Sequence, residues 1–232
     1  MKYTYLLIDF FTIIIPFIFS FHPKLKFHQT WKSFFPAVIL TGIIFIAWDI
    51  YFTKIGVWGF NPTYTVGLKI SNLPVEEILF FLCIPYSCVF TYHCLNLLLN
   101  LNINQKTETI LSILFMILGL SVGFIFLDKI YTSVTAFGFF ALIIATKYIL
   151  KVNWLGKFYF VYLILLIPFL IVNGLLTGTG LDAPVVWYNN TEIIGIRILT
   201  IPIEDIFYGM DLILLNLIIY LSLEGKSRRQ HL

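Results

Sequence analysis

The residues whose type and spacing could do chemistry are two short acidic clusters set in apolar surroundings. Pro74-Val75-Glu76-Glu77 heads the run LPVEEILFFLCIPYSCVF (73–90), and Pro202-Ile203-Glu204-Asp205 heads a second such run. Proline followed at once by acids is an ordinary helix start, because the proline wastes no hydrogen bond and the carboxylates meet the positive end of the helix dipole. Within lipid the same carboxyls carry more weight, since ionisable groups at membrane depth are costly and mark functional sites. Neighbouring helical residues are about 100° apart, so Glu76 and Glu77 cannot share a face; Glu76 aligns with Phe80 and Cys83, and Glu204 with Tyr208 and Asp211. One carboxyl can then face a cavity while its neighbour is held by Lys69 or Arg197, or by backbone donors. Carboxyls that share an apolar site can divide the work, one holding a proton and another acting as base.

Such clusters need elements to hold them at a common depth. Of 232 residues, 59% are hydrophobic and only 12% charged. That is about half the charge of a soluble domain, so most of the surface must face lipid. Apolar runs of spanning length fall near 3–21, 34–52, 75–97, 109–127, 131–149, 158–176 and 203–223. The expected fold class is an all-α integral membrane protein of seven transmembrane helices. The first run holds Asp9 and Pro16 and lacks a small-residue cleavage pattern, which makes it a span and not a signal peptide. Lys24, Lys26, Lys32, Lys106, Lys147, Lys151, Lys157, Lys226, Arg228 and Arg229 lie on one side, against Lys2, Lys54, Lys69, Lys129 and Arg197 on the other. This imbalance predicts a multi-pass protein of the cell membrane with a cytoplasmic C-terminus. No basic, aromatic-interleaved face suggests nucleic acid. Cys83, Cys88 and Cys94 share one apolar segment and read as packing residues, with no metal spacing.

The chain also repeats itself. Shifted by 128 residues, GLKISNLPVEEILF (67–80) falls on GIRILTIPIEDIFY (195–208), pairing Gly67 with Gly195, Pro74 with Pro202 and Glu76 with Glu204. Trp58 falls on Trp187 with a one-residue slip, and Asp49 and Thr53 recur as Asn173 and Thr177 across a longer second loop. The first three spans thus match the last three. The units read as 1–100 and 129–232, with a linker helix in 101–128. An odd extra crossing makes the repeats parallel, bringing both acidic clusters to one face of the membrane, in one cavity or two.

Candidate substrate-binding residues are Trp58, Phe80, Trp187 and Tyr208, aromatics beside the clusters whose faces attract cations, and the intramembrane polar residues Asp49, Asn173 and Asp211. Helix packing by buried polar groups is an equal reading for the last three. Asp9 has no second-half counterpart under the 128-residue shift, where Phe137 stands.

The doubled P-x-E-[ED] pattern, opening a membrane helix in each tandem three-span unit, resembles the small integral-membrane lycopene cyclases of bacteria, archaea and fungi, over essentially the whole chain. The resemblance implies acid-catalysed, non-redox cyclisation of the open ψ ends of lycopene to β-ionone rings in carotenoid biosynthesis. It maps the family's acidic residues onto Glu76, Glu77, Glu204 and Asp205. The substrate would come from the bilayer, with no cofactor and no metal. Glu76 and Glu204, the identical pair, are the expected proton donors, with Glu77 and Asp205 supporting or acting as base.

The same residues admit other classes. An intramembrane proton or ion translocator also uses buried acids and a repeat, but would put the acids at mid-depth on broken helices. A C50, ε- or γ-cyclase or a hydratase-like carotenoid enzyme would use the same cation. A retinal protein is disfavoured because the last span has no lysine, a prenyltransferase because aspartate-rich clusters are missing. A flavin-dependent cyclase lacks its fingerprint, since GTG at 178–180 follows a membrane span.

Overall fold

Long runs of Ile, Leu and Phe in lipid must satisfy their backbone hydrogen bonds within the segment, and the helix does this. The computed structural model describes residues 1–99 and 103–230, with side chains described as far as Gly225; Lys226, Arg228 and Arg229 therefore lie outside the described side chains. Its helices are α1 (Thr4–Phe19), α2 (Trp31–Lys54), α3 (Val75–Leu98), α4 (Gln105–Ile125), α5 (Ile130–Ile144, continued by a π-turn to Ile149), α6 (Leu155–Leu176) and α7 (Glu204–Gln230). Six are long and apolar enough to cross a membrane. The seventh, α1, has 16 residues, shorter than the span expected over 3–21, because the chain turns after Phe19 through a left-handed Lys26 (φ 49°) into α2.

The repeats interlock. Within each, the first helix packs on the third, α1 on α3 and α5 on α7; the second helix reaches the other repeat, α2 packing on α7 and α6 on α3. The extra helix α4 lies against α5.

Short ladders set the ends of the motif helices. Lys69–Ile70 (β2) pairs with Leu73–Pro74 (β3), and Arg197–Ile198 (β5) with Ile201–Pro202 (β6), in matching registers Lys69↔Pro74 and Arg197↔Pro202. Both hairpins turn through a left-handed residue, Ser71 (φ 58°) and Leu199 (φ 57°), and both follow a left-handed glycine, Gly67 (φ 91°) and Gly195 (φ 88°). A positive φ there explains why glycine recurs at 67 and 195.

A third ladder joins the halves: Trp58–Phe60 (β1) runs antiparallel to Val186–Tyr188 (β4), pairing Trp58 with Tyr188, Gly59 with Trp187 and Phe60 with Val186. Because 187 − 59 = 128, the local two-fold axis passes between Gly59 and Trp187. The expected equivalence of Trp58 and Trp187 is corrected by this register: strand alternation turns Trp58 inward (5% exposed) and Trp187 outward (44% exposed).

Candidate active site

The first-turn carboxyls of α3 and α7 separate by what they face. Glu76 accepts a hydrogen bond from the Val66 amide at 2.6 Å, and Glu204 accepts one from the Ile194 amide at 2.7 Å and one from Thr132 Oγ1 at 2.6 Å. Each thus fastens the backbone ten residues upstream, just before the hairpin. Lys69 is exposed, and Arg197 binds the Thr200 carbonyl and Asn190. The motif carboxyls are therefore held by neutral donors, and among the described residues neither Lys69 nor Arg197 forms an ion pair with them.

One helical step further, Glu77 and Asp205 face a common cavity of about 610 Å³. Glu77 Oε2 accepts from Tyr5 Oη at 2.5 Å, and Asp205 Oδ1 accepts from Tyr131 Oη at 2.6 Å. These bonds are counterparts: a tyrosine of each repeat's first helix reaches the second acid of its own motif. They fix the first-helix offset at 131 − 5 = 126 residues, two fewer than the motif offset of 205 − 77 = 128. Asp9 thereby corresponds to Thr135, in place of the expected Phe137; both are buried, and neither Asp9 oxygen nor Thr135 Oγ1 has a partner among the described residues.

Second-helix residues complete the wall. Asn173 Nδ2 donates to Asp205 Oδ2 at 2.7 Å, and Tyr188 Oη donates to the same oxygen at 2.9 Å. Burial, and then the charge of Asp205, push the Tyr188 phenol well above the usual tyrosine range, so it stays a protonated donor. Asp49, the counterpart of Asn173, accepts from Trp58 Nε1 through Oδ1, while its buried Oδ2 makes no hydrogen bond of normal geometry among the described residues, the Thr53 hydroxyl lying nearby. Asp49 and Asp205 each lie within electrostatic reach of Glu77.

Around these carboxyls stand aromatic rings: Tyr131 stacks on Tyr188 (centroids 5.9 Å apart), and Tyr208 meets Trp58 at 6.3 Å and Tyr131 at 6.1 Å. Phe80 meets Tyr5 edge-on at 6.4 Å. Aromatic faces in a desolvated site stabilise a cation by about 2 kcal/mol or more each. From the carboxyls the wall follows α3 as far as Thr91 and α1 from Thr4 to Pro16, a slot about 20 Å long at the helical rise. Leu7, Phe11 and Ile15 of α1 and Ile171 of α6 line it and are also 50–66% exposed on the outer surface. The slot therefore opens sideways between α1 and α6, onto the face that meets lipid.

Of the sequence candidates, Asp49, Trp58, Glu77, Phe80, Asn173, Asp205 and Tyr208 meet on this wall. Glu76 and Glu204 stand behind it. Trp187 lies outside, beside a shallow polar pocket with Asn190 and Arg197. Asp211 is buried behind the wall, near Gly138. Tyr5, Tyr131, Tyr162 and Tyr188 are wall residues that sequence reasoning passed over; a separate 126-residue offset for the first helix would have found the first two.

A family model described as lycopene cyclase matches residues 2–95 and 128–223. The two blocks contain α1 to most of α3 and α5 to most of α7, and the interval between them holds α4. Among curated proteins, the chain is 27% identical over 99 residues to a bifunctional lycopene cyclase/phytoene synthase of Aspergillus oryzae, covering 41% of this chain and 17% of that protein. It is 38% identical over 47 residues to a protein of the same description from Aspergillus niger, covering 20% of this chain and 8% of the relative. The matches thus span less than a fifth of either relative. No solved structure matches the chain.

Proposed function

Because the chain belongs to the lycopene cyclase family, we propose that it is an isomerase that closes the open ψ ends of lycopene into β-ionone rings by proton transfer alone. It acts in the cell membrane with its C-terminus cytoplasmic, and its two three-helix units build a single site. The observation that carries this reading is that Glu77 and Asp205, one carboxyl from each motif, line one apolar, aromatic slot open to lipid.

The chemistry needs little more. A carboxyl proton adds to the terminal double bond and leaves a tertiary cation; the next double bond attacks it, closing the six-membered ring and moving the cation into the ring. Loss of a ring proton to a carboxylate forms the ring double bond. One proton enters and one leaves, so the mass is unchanged and no redox partner is required. Aromatic rings stabilise the cation, and the apolar wall keeps out water that would otherwise capture it as an alcohol. A hydrocarbon substrate already dissolved in the bilayer reaches the slot from the side.

The test is expression in a lycopene-accumulating bacterium without a cyclase, followed by chromatography with absorbance and mass detection. A product of unchanged mass and shorter-wavelength absorption supports the reading. Unaltered lycopene beside membrane-inserted protein refutes it.

A further inference from the structure

The two halves of the cavity wall are related by the repeat, and the departures from symmetry nearest the carboxyls favour donors at Asp205. Where the second repeat has Asn173 donating to Asp205, the first has Asp49, a second carboxyl, on the same cavity wall as Glu77. Where the second has Tyr188 donating to Asp205, the first has Phe60 (188 − 60 = 128), which lines the slot without a hydroxyl. Only the Tyr5/Tyr131 bond is common to both.

Three donors converge on Asp205, two of them on one oxygen, and the Asn173 amide nitrogen cannot accept a proton in return. This arrangement fits an ionised carboxylate, which only accepts. Glu77 receives one hydrogen bond, from Tyr5, and lines the same cavity as Asp49, whose buried Oδ2 makes no hydrogen bond of normal geometry among the described residues, with the Thr53 hydroxyl nearby. Two carboxylates crowded in an apolar site cannot both ionise cheaply, so the pair retains a proton. Trp58 holds the other oxygen of Asp49 and so orients it.

We propose that Asp49 and Glu77 share the proton that opens the reaction, with Glu77 delivering it, and that Asp205, fixed by Tyr131, Asn173 and Tyr188, removes the ring proton. The Asp49/Asn173 difference is what makes one half of the repeat the acid and the other the base. This assignment rests on the cyclase reading and deepens it. In each turnover the Glu77 O–H bond breaks as the substrate C–H bond forms, and a ring C–H bond then breaks as Asp205 gains a proton; once the product has left, water entering the open slot carries that proton back to the Asp49–Glu77 pair.

The test uses two isosteric substitutions in the full chain, assayed as lycopene turnover in isolated membranes at matched protein level. Asp49→Asn keeps an oxygen for the Trp58 indole but removes the second carboxyl; Asn173→Asp gives the Asp205 side an extra one. General acid–base catalysis is worth about 10²- to 10⁴-fold, and each single variant is expected to lose at least tenfold. The double exchange is expected to be no worse than the poorer single variant, because it moves the paired carboxyls to the other half. Asp49→Glu, which keeps a carboxyl, is expected to exceed Asp49→Asn. Asp49→Asn within twofold of wild type, or a double variant whose loss is the product of the two single losses, overturns the assignment. A wild-type chain that leaves lycopene unchanged overturns the cyclase reading and this one with it, whereas the variant outcomes overturn this one alone.

Discussion

Gly59 lies under the indole of Trp187 at the point where the two repeats meet. A Cβ added at Gly59 would fall 2.4 Å from Trp187 Cζ2 and 2.7 Å from Cε2. The clash lies in the β1–β4 ladder that also carries Trp58 and Tyr188 into the slot. Gly59→Ala is therefore expected to lower stability by about 1–3 kcal/mol through overpacking, measured as unfolding in detergent. Adding Trp187→Ala should return most of the loss, because the half-exposed indole is the obstacle; no recovery would mean that the strain lies elsewhere in the strand.

Glu76 and Glu204 each accept an amide hydrogen bond from the loop ahead of the hairpin, and neither reaches the slot wall. Substituting either by Gln is expected to cost about 1.5–3 kcal/mol of stability, the range for hydrogen bonds to charged groups, with turnover reduced as the loops loosen. Glu77→Gln and Asp205→Asn should reverse that balance, losing about 10²-fold or more in turnover while the protein remains folded. Unfolding curves and lycopene turnover measured on all four variants separate the outcomes. If Glu76→Gln abolished turnover without any loss of stability, the positioning role would be wrong.

The repeat and both acidic clusters were legible because they are local: proline, acid and glycine recur at fixed distances along the chain. Helix positions followed from apolar length, apart from α1, which a turn at Ser20 ends early. Which acid of each pair faces the slot was not legible. Helical geometry says that Glu76 and Glu77 point about 100° apart, but the rotation of α3 is set by packing against α1, α2 and α6. The tyrosines that hold Glu77 and Asp205 come from 72 and 74 residues away. The outward position of Trp187 was not legible for a related reason, since strand register and not similarity decides which of Trp58 and Trp187 turns inward.

Leu7, Phe11 and Ile15 on α1 and Ile171 on α6 border the lateral opening of the slot. A larger side chain there should obstruct a substrate arriving from lipid without touching Glu77 or Asp205. Leu7→Trp and Ile171→Trp together are expected to reduce kcat/KM by at least tenfold and to leave stability nearly unchanged, because these side chains already face outward. Turnover in liposomes carrying graded amounts of lycopene would show the effect as a raised KM. An unchanged KM would mean that the substrate reaches the carboxyls by another route.

The extra helix α4 is tied to the bundle by a charge pair that stands apart from the slot. Lys147 Nζ lies 2.9 Å from Glu108 Oε1 and donates to Thr109 Oγ1 at 3.1 Å, and both charged side chains are about one-tenth exposed or less. Glu108 also accepts from Ser112, whose hydroxyl meets Tyr159 of α6 at 2.9 Å, so the cluster joins α4 and the π-turn after α5 to α6. Removing one charge leaves the other buried and unpaired, which commonly costs about 3–5 kcal/mol, whereas replacing both with apolar residues is often near neutral. Lys147→Met alone is therefore expected to destabilise the protein strongly, and Glu108→Leu with Lys147→Met to recover most of the loss. Because the cluster lies outside the slot, turnover per folded molecule should stay near wild type in the double variant. Detergent unfolding and turnover together test this: a double variant that folds normally but fails to convert lycopene would tie α4 to the reaction itself.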